Sequence, residues 1–199
     1  MFSRMMPVTR ALVLACGAGF LLQLVLGDGV TYLFGLWPLG DGFFVSRFHP
    51  WQVVSYAFLH GSVTHLAFNM FALYMFGSEI ERLLGPRRYF TYYMVCVVGA
   101  ALAQMAMLHL QRGMPTATVG ASGGVFGLLL AYGMAFPQRK LMLLFPPIPM
   151  RAWVFVTLYG LVELVLGVTG TQAGVAHFAH LGGMVAGFLL ITYWRMRRA

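Results

Sequence analysis

The chain has 199 residues, of which 60% are hydrophobic and only 9% charged, whereas soluble domains carry about 25% charged residues. That composition excludes an ordinary water-soluble globule and leaves no stretch for a separate soluble domain. The formal charge of +8 does not mark a nucleic-acid surface either, because the basic residues lie in small groups along the chain and form no single patch.

Six apolar runs are long enough to be membrane spans of roughly 20 residues each: 11–27, 62–83, 89–110, 121–136, 151–168 and 174–194. The expected architecture is an all-α membrane protein, one six-transmembrane-helix bundle occupying 1–199, with an outer loop over 28–61. Arg4 and Arg10 precede the first run, and Arg82, Arg87 and Arg88 separate the second from the third. Arg139, Lys140 and Arg151 separate the fourth from the fifth, and Arg195, Arg197 and Arg198 follow the sixth. Only Arg47 and Arg112 fall on the other side, with Asp28 and Asp41. The positive-inside rule then puts both termini in the cytoplasm. The first run is too long for a signal peptide and lacks its small-residue cleavage pattern, so it is kept as a span. With no extra span or transit segment in view, the expected location is a bacterial inner (plasma) membrane. Cys16 and Cys96 lie inside apolar runs and imply no disulfide framework.

Loop 28–61 holds Tyr32, Phe34, Trp37, Phe43, Phe44, Phe48 and Trp51 among glycines and prolines. Aromatic rings at this density suit the membrane–water interface, and a loop this long in a bundle is usually functional or partly embedded. The second span opens at Ser62, a good N-cap. That start sets His65 and Asn69 one turn apart on one face, and Gly85-Pro86 closes the helix. The third run has little polarity beyond Gln104 and His109 and reads as scaffold. His60 and His109 read as interfacial or structural.

The fourth run is short. Its sixteen residues, 121–136, cover about 24 Å, less than a hydrocarbon core of roughly 30 Å. Ser122, at its start, is therefore expected to be sunk within the membrane, where a helix N-terminus favours developing negative charge. Thr116 to Gly120, with Pro115 before them, should be non-helical at that depth, which is tolerated only beside protein or a water-filled cavity. The flanking glycines allow close approach of other backbone or of a substrate. The fifth run carries a single acid, Glu163, a functional candidate by default; with no basic partner assignable, a structural role stays equally open. The sixth opens with His177 and His180, and His180, Gly183 and Gly187 share one face. Gly183 and Gly187 form a small-xxx-small pattern, matched by Gly120/Gly124 and Gly123/Gly127 on the fourth. These two helices are expected to meet and to bring Ser122 within hydrogen-bond reach of His180.

His65, Asn69, Ser122, His177 and His180 all occupy early turns of even-numbered spans, which run from outside to inside. They therefore converge on one depth. The residue types suit acyl transfer, with Ser122 as nucleophile and His180 as the base that takes its proton. The Ser122 backbone N–H, the Asn69 amide and the His65 ring are candidate oxyanion donors. No carboxylate is placed by sequence to orient His180, so a Ser–His dyad is expected, with activity falling as acid protonates the imidazole. A metalloprotease helix is excluded because His-Glu-x-x-His is absent. His65, His177 and His180 could ligate a metal, but no carboxylate or thiolate stands beside them; neither metal nor cofactor is expected. A proton-coupled transporter using Glu163 is the reading from another class, though no inverted repeat is visible.

His65-Leu-Ala-Phe-Asn69, Gly120-Ala-Ser122-Gly and Ala179-His180-Leu-Gly-Gly183-Met-Val-Ala-Gly187, in this order and on these spans, resemble the motifs of the rhomboid family of intramembrane serine proteases. Glu81-Arg-Leu-Leu-Gly85 resembles the family's segment after the second span, and the similarity runs from Trp51 to Trp194. The resemblance implies a six-helix rhomboid core with Ser122 as nucleophile and His180 as base, and His65 and Asn69 completing the oxyanion hole. It also implies a membrane-dipping first loop and a fifth helix that serves as substrate gate. One departure is Trp51-Gln52, where the family commonly has tryptophan–arginine; it bears on how the loop is anchored, not on the chemistry. The expected partners are the lipid bilayer and transmembrane protein substrates, cut near their outer ends after a small residue. A proteolytically inactive, client-binding relative is the alternative.

Overall fold

Prolines and glycines punctuate the helices of the computed structural model, which describes residues 5–39, 48–111, 116–142, 147–171 and 174–197. Asp41, Phe43, Phe44, Arg47, Arg112 and Pro115, named above, lie outside the described residues, as do Arg4 and Arg198. Helix α1 (Pro7–Leu26) starts on a proline, where the missing N–H would have been unpaired anyway. It ends at Gly27 with φ of 70°, a positive value that suits glycine. Two short helices, α2 (Asp28–Phe34) and α3 (Gln52–Ser55), and a 3-10 turn, Tyr56–Phe58, follow in the loop region.

Helix α4 (Val63–Ala72) is capped by Ser62, whose hydroxyl accepts the His65 N–H at 3.1 Å. It continues through a π-helical segment, Leu73–Gly77, into α5 (Ser78–Leu84) and stops at Gly85 with φ of 77°. Helix α6 (Pro86–Gln111) again begins on a proline, and α7 (Ser122–Ala135) begins on the candidate serine. A two-stranded antiparallel ladder, β1 (Lys140–Met142) with β2 (Pro149–Arg151), pairs Leu141 with Met150 and separates α7 from α8 (Ala152–Thr169). That ladder departs from a strictly all-α reading. Helix α9 (His177–Met196) is the last element. By length and composition, Pro7–Leu26, Pro86–Leu110 and Ala152–Thr169 can each cross a membrane, and Ser122–Ala135 is a shorter apolar helix.

Helix α7 is the axis of the bundle: Gly123 to Leu129, Ala131, Tyr132 and Gly133 are all buried. Helices α6 and α9 pack on it and on each other through small residues. A Cβ on Gly183 would strike the Gly123 carbonyl, and one on Gly127 would strike the Cys96 side chain. The expectation that Gly183 and Gly187 both face the fourth span needs correction. Gly187 abuts the Tyr92 hydroxyl and Cys96 of α6 instead. Positions four apart on a helix differ by about 40° of rotation, and α9 lies in the notch between α6 and α7, so adjacent points of its stripe meet different neighbours. Tyr92 seals the junction by donating to the Gly127 carbonyl at 2.7 Å.

The N-terminus of helix α1 is fastened by one carboxylate. The carboxylate of Glu81, fully buried, accepts the Val8 N–H at 2.9 Å, the Thr9 N–H at 2.7 Å and the Thr9 hydroxyl at 2.8 Å. These are first-turn amides that have no partner within their own helix, and the positive end of the helix dipole favours the anion there.

Candidate active site

Ser122 is the first residue of α7, and the segment before it is held by the loop region. Thr118 forms a two-bond bridge with Leu36, each bond 2.9 Å, and the Gly120 N–H donates to the Tyr56 carbonyl at 3.0 Å. Thr116 to Gly120 contain no helix, as anticipated. Gly120 has φ of 132°, and a Cβ there would lie 2.7 Å from Cε1 of His65. Both the conformation and the space require glycine.

Helix α9 delivers His180 on its first turn. Its Nε2 lies 2.8 Å from the Ser122 Oγ, and its ring stacks on Phe126, with centroids 4.2 Å apart and planes 5° from parallel. Phe126 stands one turn into α7 from Ser122, so a single helix supplies both the hydroxyl and the surface that orients the imidazole. Phe126 stacks in turn on Tyr159 of α8 at 5.3 Å.

The other edge of His180 meets an acid that the sequence left without a partner. Nδ1 of His180 is 2.8 Å from Oε2 of Glu163, and Nδ1 of His177 is 2.7 Å from the same oxygen. All three residues are buried. The expectation that no carboxylate orients His180 is therefore overturned, as is the one that Glu163 has no basic partner. Helix α8 buries only one stripe, Ala152, Val156, Glu163 and Gly167, and rotation about its axis aims the acid at α9. Ligand atoms of Glu163, His177 and His180 lie within 4.8 Å of one another, so among the described residues this set, not the one with His65, could hold a metal ion.

His65 and Asn69 arrive on α4. The His65 ring rests against Gly120, beside Ser122, and meets His60 edge-on at 5.1 Å. The Gly61 N–H donates to Nδ1 of His65 at 3.4 Å, which leaves Nε2 as the nitrogen that carries hydrogen. Asn69 is buried one turn on, and its amide donates to the His65 carbonyl at 3.0 Å, not to Ser122. His60 is buried, and its ring makes no hydrogen bond of good geometry among the described residues, its polar neighbour being the Phe58 backbone. Burial, with His65 beside it, pushes the His60 imidazole down to about 4, so it stays neutral in a structural role.

Three features escaped the sequence reading: the Phe126 stacking surface, the Glu163 contact and the use made of Gln52. The fully buried Gln52 accepts the His49 N–H at 3.1 Å and the Trp37 N–H at 3.4 Å, and donates to the Leu33 carbonyl at 3.1 Å. Trp51 donates its indole N–H to that carbonyl at 3.0 Å. Gln52 thus ties the two ends of the loop together with backbone bonds, and the departure from tryptophan–arginine leaves the loop anchored.

A serine hydroxyl hydrogen-bonded to an imidazole at the start of a glycine-lined helix, in a bundle with three helices long and apolar enough to cross a membrane, defines a class: helical membrane proteins with a buried Ser–His contact. A family model for the Rhomboid domain matches residues 47–197, and the chain belongs to the rhomboid family. It is 31% identical over 191 residues to the mitochondrial Rhomboid protein 1 of Saccharomyces cerevisiae, covering 87% of this chain and 53% of that one. It is 29% identical over 195 residues to the Rhomboid protease GlpG of Serratia proteamaculans, covering 96% and 63%. With RHOMBOID-like protein 4 of Arabidopsis thaliana it shares 36% over 140 residues, 70% of this chain and 33% of the relative. The chain thus spans between a third and somewhat under two thirds of the length of these relatives.

Proposed function

We propose that the protein is an intramembrane serine endopeptidase that cleaves transmembrane segments of other membrane proteins near their outer ends. The observation that carries this reading is the 2.8 Å contact between Ser122 Oγ and His180 Nε2. In the proposed topology six helical paths cross a cell inner membrane with both termini cytoplasmic. Helix α7, at 14 residues, is about 21 Å long and cannot span a core of roughly 30 Å. Ser122 then sits below the outer surface, at the depth of a substrate's membrane segment.

His180 Nε2 takes the Ser122 proton as Oγ attacks the scissile carbonyl carbon, and returns it to the leaving amine as the C–N bond breaks. Water, deprotonated by the same nitrogen, then attacks the acyl carbon, the bond from that carbon to Ser122 Oγ breaks, and Nε2 returns the proton to Oγ. The Ser122 N–H, His65 and Asn69 serve as donors to the oxyanion; the Asn69 amide nitrogen carries two hydrogens, and the one not given to the His65 carbonyl is free for this role. A spanning helix keeps its peptide bonds in internal hydrogen bonds and must unwind locally before attack, so helix-breaking residues near the cut should help. The close backbone around Ser122 favours a small residue before the scissile bond.

A fluorophosphonate probe reacts with a serine only when a base activates it. Labelling of the wild-type protein, lost in Ser122→Ala and His180→Ala, is the expected result. A wild-type protein that does not label, yet is folded and binds membrane clients, would favour the inactive, client-binding reading.

A further inference from the structure

We propose that Glu163 and His177 extend the Ser122–His180 pair into a four-residue chain, in which Glu163 is a positioning residue that sets the tautomer of the base. The inference rests on the protease reading and concerns how its base is prepared. A carboxylate only accepts hydrogen bonds, so at 2.8 Å from Glu163 Oε2 the Nδ1 of His180 is the nitrogen that carries hydrogen. Its Nε2, 2.8 Å from Ser122 Oγ, is then left with a lone pair facing the hydroxyl. That is the tautomer a general base requires. The opposite one would point N–H at the serine and could not accept its proton. Once Nε2 does accept it, Glu163 faces the resulting imidazolium and stabilises the charge that forms.

His177 holds the acid from the far side. Its Nδ1 reaches the same carboxylate oxygen at 2.7 Å, so Oε2 is fixed between two donors from one turn of α9. Glu163 comes from a different helix whose other buried positions, Ala152, Val156 and Gly167, are small or apolar. An acid on such a stripe is costly within a membrane, and an apolar residue would pack there more cheaply. Its placement against the base is what gives the acid a use. The arrangement also makes the base depend on α8, because a shift of that helix away from α9 breaks the contact with His180.

The test uses the full-length protein purified in detergent, with a single-span reporter as substrate. Glu163→Gln preserves shape and removes the charge. The expected result is a fall in kcat of about a hundredfold or more, as for other triads deprived of their acid, with KM within threefold of wild type and the melting temperature retained. His177→Phe keeps a ring and loses the donor; its kcat should fall less, because His180 keeps its own bond to Glu163. Nitrogen-15 NMR of the histidine rings supplies a readout that a purely structural role would not move: His180 in the wild type should carry hydrogen on Nδ1. A Glu163→Gln kcat within threefold of wild type, or a His180 that carries hydrogen on Nε2, overturns the inference. Ser122→Ala, run alongside, separates the two readings. Turnover in Ser122→Ala would sink the protease itself, whereas an inert Ser122→Ala beside a fully active Glu163→Gln would sink only the role given to the acid.

Discussion

Two glutamates two positions apart on α5 predict opposite outcomes when removed. Glu81 is fully buried and accepts three hydrogen bonds from the first turn of α1, at 2.7 to 2.9 Å. Glu79 sits at the surface, paired with Arg82 at 2.6 Å and Arg139 at 3.2 Å. A hydrogen bond to a charged group contributes about 1.5–3 kcal/mol, and a buried donor left unpaired costs about 1–3 kcal/mol. The three bonds of Glu81 share one carboxylate and are not additive, so Glu81→Ala should lose roughly 3–5 kcal/mol. Glu81→Gln retains one acceptor oxygen and should lose less. Glu79→Ala removes an exposed, solvent-screened pair and should change stability little. Unfolding of the purified protein by sodium dodecyl sulfate in mixed micelles, followed by circular dichroism, gives all three values. The reasoning is refuted if Glu81→Ala unfolds at the wild-type midpoint, or if Glu79→Ala is the more damaging of the two.

Other substitutions probe the site and the packing around it. Asn69→Ala should lower kcat/KM by at most about 3 kcal/mol, and by less if His65 and the Ser122 N–H compensate; a raised KM with unchanged kcat would make Asn69 a binding residue instead. Phe126→Ala removes the surface on which the His180 ring stacks and should reduce kcat with little change in KM, so an unchanged kcat would show that the ring is held by its hydrogen bonds alone. Gly183→Leu drives a side chain into the Gly123 carbonyl and should abolish folding and activity together, as read by melting temperature and reporter cleavage; wild-type values for both would mean that α7 and α9 do not meet there.

Much of the site was legible because its residues sit in short local patterns whose spacing the helix converts directly into geometry. Ser62 three residues before His65, and Asn69 four after it, define a capped helix with two polar groups on one face, and α4 has that form. Glycines around Ser122 signalled a close approach, which occurs against His65, Tyr93 and Ala100. The Glu163 contact is of a different kind. The apolar runs placed Glu163 five residues before the end of the fifth and His180 six residues after the start of the sixth, which is nearly the same depth. Depth alone does not say which way a helix is turned, and the rotation of α8 is decided by packing that no local pattern records. Pairing the single acid of the fifth run with the histidines of the sixth at equal depth was the available signal. Gln52 was hidden for a similar reason, since its partners are backbone groups as far away in sequence as Leu33. The π segment Leu73–Gly77 has no composition cue of its own.

The central claim is that Ser122 cuts a membrane-embedded peptide bond. The direct measurement places the protein and a single-span reporter in liposomes, varies the residue before the cut from Ala to Phe, and maps product ends by mass spectrometry. The account predicts cuts near the outer end of the span, efficient after Ala and poor after Phe, with no product from Ser122→Ala. Product from Ser122→Ala at a rate near wild type would contradict it, and so would cuts clustered at the cytoplasmic end.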